Sequence, residues 1–408
     1  MHKQLDLFND VSAVYGRTGK LSNSQLYEMV ARHAGIPLEE IEARVPIGQT
    51  GQKHSLLKRE VRWHQQTLKH LGLIERVEGE RGLWKLTDAG EKKLRRALPE
   101  VALLAFSTDL GLAIWGSCNR VFPHLDTPIA LCVTSPPYPL RKPRAYGNPT
   151  AAEYADFICR ALEPVVANLA PGGSIVINVS NDIFEQGLPS RSTYLERMVI
   201  AIEDRLGLAL MDRVPWSNPS KAPGPIQWAS KVRCQLNMGW EPVYWFTNDP
   251  ARVKADNRRV LQPHTERHRR LLAAGGEQRE ASFADGAYRV RKGSYGKPTA
   301  GRIPRNVITM GHSCPDHRQY RRDAAMLGLP AHGAPLPKAM YDFWIDFLTE
   351  PGDLCADIFG GRVTLGKSAE ERGRRWIVTE WIIEYVRAAA ERFKASPGFW
   401  LNPAIASC

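Results

Sequence analysis

The sequence predicts an α/β fold: a doubly wound sheet over residues 101–408, preceded by a mainly α-helical domain over residues 1–100 and interrupted by a basic insert over 249–305. Three stretches predict it. Leu131 to Thr134 is a short apolar run that stops at Ser135-Pro136-Pro137-Tyr138. Two prolines cannot continue a ladder, so the run reads as a buried strand delivering a stiff loop at its C-terminal edge. Tyr154 to Leu169 carries Phe157, Ile158, Leu162, Val165, Val166 and Leu169 at helical spacing, then Ala170-Pro171-Gly172-Gly173 and the apolar run Ser174 to Val179. Helix, turn and buried strand in that order make the crossover of a wound sheet. Pro351 to Glu380 reads as strand (Leu354 to Phe359), glycine turn, helix (Thr364 to Arg372) and strand (Trp376 to Thr379).

Composition sets the outer limits. A chain of 408 residues with 43% hydrophobic content suggests two or three domains with sizeable cores. A formal charge of +12 points towards a polyanionic partner, with simple solubility as the plain alternative. The seven cysteines stand singly, without C-x-x-C spacing, so neither a metal site nor a disulfide framework is expected, and Cys132 and Cys355 read as small core residues within strands. Met1-His2-Lys3-Gln4-Leu5-Asp6-Leu7-Phe8 does not have the form of a signal peptide, and no apolar run is long enough to cross a bilayer. A reducing, cytoplasmic setting without a membrane partner is therefore expected.

In chain order, Leu21-Ser22-Asn23-Ser24 precedes and caps a first helix that carries Leu26, Met29 and Val30 and stops at Gly35. A second helix runs from about Leu56 to Leu71, with Lys58, Arg59, Arg62, His64, Lys69 and His70 on its polar face. Residues 72–77 and 83–86 alternate as two strands about a Glu-Gly-Glu-Arg-Gly tip, and a third helix starts at Thr87. This order resembles a winged helix, with L-G-L-I-E-R and W-K-L-T-D-A-G carrying the resemblance. It implies a second helix, with Arg59 and Arg62, that enters the major groove or lies along phosphates. A protein-binding wing is the competing use of the same fold.

Beyond residue 100, Leu112 to Cys118 reads as a strand with a small-residue turn, and Met211 to Trp216 and Glu241 to Phe246 as two more, flanking a loop with Asn218, Lys221, Trp228 and Lys231. The insert then loses periodicity and becomes polar and basic, with Arg258, Arg259, Arg269, Arg270, Arg289 and Arg291 interleaved with Tyr288 and Tyr295. A structureless stretch of that length is either functional or a solvated loop. His332 to Met340 precedes an amphipathic helix ending near Leu348.

The chemistry is concentrated in two places. Two consecutive prolines fix the carbonyls of Ser135 and Pro136 beside a hydroxyl and the Tyr138 ring, which suits a planar ring bearing an amino group; an ordinary turn is the alternative. The 351–380 stretch places an acidic residue, Glu380, about twenty positions after its glycine turn, the layout of a nucleotide-type cofactor site in which the acid accepts ribose hydroxyls. Gly361 to Ser368 also satisfies the phosphate-loop spacing G-x-x-x-x-G-K-S, but too little chain follows to build the rest of an NTPase core.

T-S-P-P-Y, followed much later by D-x-F-x-G and a strand ending in Glu, resembles the beta class of amino DNA methyltransferases. The resemblance implies a Rossmann-like methyltransferase sheet and S-adenosylmethionine as cofactor. The cofactor would be held by Asp357, Phe359, Gly361, Thr364, Glu380 and Trp381, with His332 and Pro337 of an H-x-A-x-x-P segment beside it. It also implies double-stranded DNA as substrate, a flipped-out base gripped by Ser135, Pro136, Pro137 and Tyr138, and a cognate restriction endonuclease as companion. The insert, together with Lys221 and Lys231, is then expected to read the target. Serine at the first position of the tetrapeptide favours cytosine N4, with adenine N6 as the alternative. The chain departs from the family's D-P-F-x-G-S-G-T-T at Ile358, Arg362 and Val363. Valine resists positive φ and adds bulk, so a rearranged turn or weakened cofactor binding is expected there. A DNA-binding regulator with an inactive methyltransferase-like domain, and an NTPase, are the readings from other classes.

Overall fold

The computed structural model describes residues 11, 14, 15, 20–47, 52–70, 74–77, 80, 82–86, 97, 101–140 and 149–406. Its N-terminal part contains β1 (Lys20–Ser22), α1 (Asn23–Ala34), α2 (Leu38–Glu42), β2 (Val45–Ile47), β3 (Gln52–His54), α3 (Leu56–His70), β4 (Ile74–Arg76) and β5 (Leu83–Leu86). Ser22 and Gln25 form a reciprocal capping box at the start of α1, and Gly35 closes it at φ 68°. Strand β5 lies between β1 and β4, antiparallel to both, and Leu26, Val30, Val61, Leu68 and Trp84 form the core beneath. Helix, helix and wing thus follow the expected order. The third helix at Thr87 falls outside the described residues. Two features differ from expectation. His64 is buried rather than on the polar face of α3, and α2 with the β2–β3 hairpin fills a stretch whose three-residue strands are too short to show a period.

The larger part is built on β6 (Ala102–Ser107), β7 (Gly111–Gly116), α4 (Cys118–Val121), β8 (Ile129–Thr134), α5 (Tyr154–Val166), β9 (Leu169–Asn178), α6 (Tyr194–Leu206), β10 (Ala209–Ser217) and β11 (Trp240–Thr247). It continues with α7 (Glu266–Ala273), β12 (Ala281–Phe283), β13 (Tyr288–Val290), β14 (Ile308–Thr309), α8 (Pro315–Met326), α9 (Lys338–Leu348), β15 (Leu354–Asp357), α10 (Thr364–Glu371), β16 (Arg375–Glu380), α11 (Ile383–Ala390), β17 (Trp400–Leu401) and α12 (Pro403–Ala406). Ten strands form one mixed sheet in the order β14-β10-β11-β9-β8-β15-β16-β7-β6-β17. The run from β9 to β7 is wholly parallel. The predicted turn at Pro171-Gly172-Gly173 is already inside β9, which starts at Leu169.

Strand alternation divides the side chains between two layers. Leu131 and Val133 face a core shared with α8 to α11, whereas Cys132 faces one shared with α5 and α6. Trp376 of β16 anchors the first layer between Phe106 and Phe393, its indole N–H donating to Glu370. Because β10 is antiparallel to β11 and β11 to β9, β10 runs with the central strands. Thr134, Asn178, Ser217, Asp357 and Glu380 therefore end their strands on the same edge of the sheet. The insert is less irregular than its composition suggests, holding α7 and a β12–β13 hairpin. No described helix is long and apolar enough to cross a membrane.

Gly111 leaves room for the Trp376 ring, since a Cβ there would sit 2.2 Å from it. Gly111→Ala is expected to cost about 1–3 kcal/mol by overpacking, measured as a lower denaturant midpoint at unchanged slope.

Candidate active site

The loop after β8 and the turn after β15 are neighbours because their strands are neighbours, with Leu131 opposite Cys355 and Cys132 opposite Ala356. A direct bond ties their ends: Thr134 Oγ1 donates to Asp357 Oδ1 at 2.7 Å, and both residues are buried. Beyond it, Pro136 is buried while Ser135, Pro137 and Tyr138 are half-buried. The Tyr138 hydroxyl donates to Asn178 Oδ1 at 2.9 Å and lies 3.0 Å from Ser135 Oγ. The Asn178 amide donates in turn to the Pro242 carbonyl. Asn178, at the end of β9, is a residue sequence reasoning missed; a polar side chain closing the apolar run Ser174-Ile175-Val176-Ile177 was the available signal.

The Asp357 carboxylate also accepts from the Phe359 backbone N–H at 3.1 Å and from the Tyr341 hydroxyl at 3.2 Å. Burial pushes it up to about 6, against the pull of those three donors. Burial likewise pushes Glu380 up to about 7, opposed by the backbone N–H groups of Ile382 and Gly361, which donate to its two oxygens at 2.8 and 2.7 Å.

Between these acids the turn departs from the family pattern in an organised way. Val363 does take positive φ, at 54°, contrary to the expectation for a β-branched residue; its side chain is fully buried in the core, and its carbonyl accepts from Lys367 N. The cost of that backbone is met by packing around it. Arg362 turns out of the loop: its guanidinium lies 4.7 Å from the Tyr320 ring and donates to the His332 carbonyl, and its own carbonyl accepts from Arg392, which pairs with Asp316 at 2.5 Å. Burial pulls the Arg362 guanidinium down to about 10.

The His332 ring lies against Gly361, where a Cβ would meet it at 3.3 Å, and edge-on to Tyr385. Pro337 caps α9, Thr364 opens α10, and the Trp381 carbonyl accepts from Trp115 Nε1 and Ala97 N. A side-chain-free Gly361 and an acid at the end of the next strand suit the ribose and methionine parts of S-adenosylmethionine. The phosphate-loop reading fails on placement. Lys367 lies over Phe393, and Ser368 is buried against Asp342, so both serve helix packing.

The residues expected to meet DNA are spread over the molecule. Lys221 and Lys231 lie on the loop that rises from the catalytic edge after β10, with Lys221 paired to Glu241 at 2.5 Å and Lys231 exposed. Arg258 and Arg259 are not with them. Arg258 makes a bidentate pair with Asp256, and Arg259 donates to the carbonyls of Phe347 and Thr349, holding the start of the insert at the opposite edge. Arg269 and Arg270 are exposed and share Glu266, and Arg289 and Arg291 lie exposed on and just after β13. On α3, Arg59 is exposed and Arg62 half-buried. Arg59 lines a cavity of about 390 Å³ with Tyr27, Arg44, Lys53, His54, Ser55 and Lys58.

A wound sheet with a diproline loop and an acidic cofactor turn on adjacent strands defines an amino-group methyltransferase. The chain belongs to the DNA methylase family of N6 and N4 type, whose pattern it matches over residues 129–391, and it matches the Mrr N-terminal domain over residues 7–96. It is 35% identical to the type II methyltransferase M.PvuII of Proteus hauseri over 71% of this chain and 85% of the relative. The solved PvuII DNA methyltransferase, named as cytosine-N4-specific, superimposes with a TM-score of 0.55 at 31% identity, covering 70% of this chain and 87% of the other. The protein is a DNA methyltransferase, and S-adenosylmethionine is the methyl donor of such enzymes.

Glu380 carries a pH signature. Its folded carboxyl titrates near 7 against an ordinary 4.5, so the cofactor-free fold holds an extra proton between those values and loses stability as pH rises through them. An ionised Glu380 is the better acceptor for hydroxyls. Affinity for S-adenosylmethionine is therefore expected to rise about tenfold from pH 6 to pH 8, following the ionised fraction; a flat calorimetric profile would remove Glu380 from the ribose site. Asn178→Ala removes the Oδ1 acceptor of the Tyr138 hydroxyl and is expected to lower the methylation rate at least tenfold, as one lost positioning hydrogen bond does, with cofactor affinity unchanged.

Proposed function

We propose that the protein methylates the exocyclic N4 amine of cytosine in double-stranded DNA. The observation that carries the reading is the Thr134–Asp357 bond, which sets the Ser135-Pro136-Pro137-Tyr138 loop beside the glycine turn. Serine at the first position of that tetrapeptide, and the cytosine-N4 name of the PvuII relative, favour cytosine over adenine.

S-adenosylmethionine supplies an electrophilic methyl group when bound between Gly361, Glu380 and the His332 segment. The protein's own work is on the amine. Cytosine N4 shares its lone pair with the ring and is a poor nucleophile. The Ser135 hydroxyl and Pro136 carbonyl would accept hydrogen bonds from its two N–H groups, draw the nitrogen towards a pyramidal shape and aim the freed lone pair at the donor; the methylated, cationic nitrogen then sheds one proton to solvent. The diproline corner fixes those acceptors in advance, so orientation and electrostatics supply most of the acceleration. Tyr138, its hydroxyl held by Asn178, offers the face on which the flipped base stacks. No covalent enzyme intermediate is called for, in keeping with buried cysteines such as Cys132, whose thiol burial pushes well above the ordinary range. The basic head around α3 would add phosphate contacts, with the division between head and catalytic body near residue 100.

Incubation with labelled S-adenosylmethionine and genomic DNA, followed by digestion to nucleosides, is expected to give labelled N4-methylcytosine. Labelled N6-methyladenine would reassign the base, and no label would favour a DNA-binding regulator. Ser135→Ala and Tyr138→Ala are each expected to abolish label transfer while leaving salt-dependent DNA affinity nearly unchanged.

A further inference from the structure

The loop between β10 and β11 combines a rigid backbone with an apolar surface left in water. Its base is closed by Asn218 N donating to the Gly239 carbonyl at 3.0 Å and Met238 N to the Gly224 carbonyl at 2.8 Å. Within it, Cys234 N donates to the Trp228 carbonyl, and the Gln235 side chain donates to the Pro189 carbonyl at 3.0 Å, bracing the loop against the segment that follows β9. Leu236 sits between braced Gln235 and buried Met238, yet it is 85% exposed, and Ile226 on the same loop is 64% exposed. With Val232 at 51% and Trp240 at 44%, four large apolar side chains stand exposed on this one connection, a concentration of the kind that marks interaction surfaces. Its flanks are cationic, with Lys231 and Arg233 both exposed. The loop rises from the catalytic edge three strand positions from β8, or roughly 14 Å from the diproline loop at the usual strand spacing.

We propose that Leu236, seconded by Ile226, inserts into the DNA base stack at the step from which the target base has left, while Lys231 and Arg233 hold the adjacent phosphates. Apolar side chains that enter a base step unstack it and take over the vacated contacts, and basic neighbours neutralise the backbone drawn against them. The inference rests on the DNA-methylating reading. It gives the exposed leucine an occupant that buries it only when a duplex is engaged.

The test compares the wild type with Leu236→Ala, whose exposed position makes misfolding an unlikely confounder, on two oligonucleotide duplexes containing a site mapped from methylated genomic DNA. In one the target base is paired; in the other it faces an abasic site, where extrusion costs little. The variant is expected to methylate the paired duplex at least tenfold more slowly than the wild type, to recover to within about threefold on the abasic duplex, and to bind S-adenosylmethionine unchanged. Equal loss on both duplexes, or no loss on either, overturns the wedge alone. A dimer in sedimentation that Leu236→Ala dissolves also overturns it, by assigning the surface to a second copy. No label from the wild type on either duplex overturns the proposed reaction together with the wedge.

Discussion

The hydrogen bond from Thr134 to Asp357 is the constraint on which the rest of the site depends. Two segments more than two hundred residues apart in the chain meet because β8 and β15 pair in parallel, and this buried bond fixes where both strands stop. Parallel neighbours deliver their loops to the same edge, so the diproline loop and the glycine turn become adjacent. Asp357 accepts from Thr134, Phe359 and Tyr341, and Glu380 accepts from Gly361 of the glycine turn and from Ile382 just beyond β16. Both acids are thereby part of the frame, buried beneath the edge of the sheet.

Much of this was legible in the residues themselves. The apolar run ending in two prolines, the glycine turn with an acid twenty positions on, and the helix from Tyr154 all carry strong local signals, and each element lies within a few residues of its predicted bounds. What escaped has physical reasons. Asn178 acts through a side chain brought close only by the order of strands in the sheet, which periodicity does not report. The carbonyls of Phe347 and Thr349 that engage Arg259 at the end of α9 are equally invisible, because only charge is read from sequence. His64 falls on the polar face of α3 by residue type but is buried by tertiary packing.

The glycine turn shows how a departure from a family pattern can be absorbed. Valine in a left-handed conformation is costly in isolation. Here the surrounding core encloses Val363, and Arg362 reaches out to the Tyr320 ring and the His332 carbonyl. Flexibility that two small residues would give is exchanged for a scaffold of arginines and an aromatic ring. The turn keeps its glycine at position 361, where φ is 50° and a Cβ would press against the His332 ring at 3.3 Å.

That scaffold ties the turn to distant parts of the chain. The Arg362 carbonyl is held by Arg392, which lies beyond the last helix of the parallel core and is itself tied to Asp316. Asp316, Arg362 and Arg392 come from three separate segments, so the glycine turn takes its shape only when all three are packed together. A disturbance in any of those segments is thereby passed to the backbone of the turn.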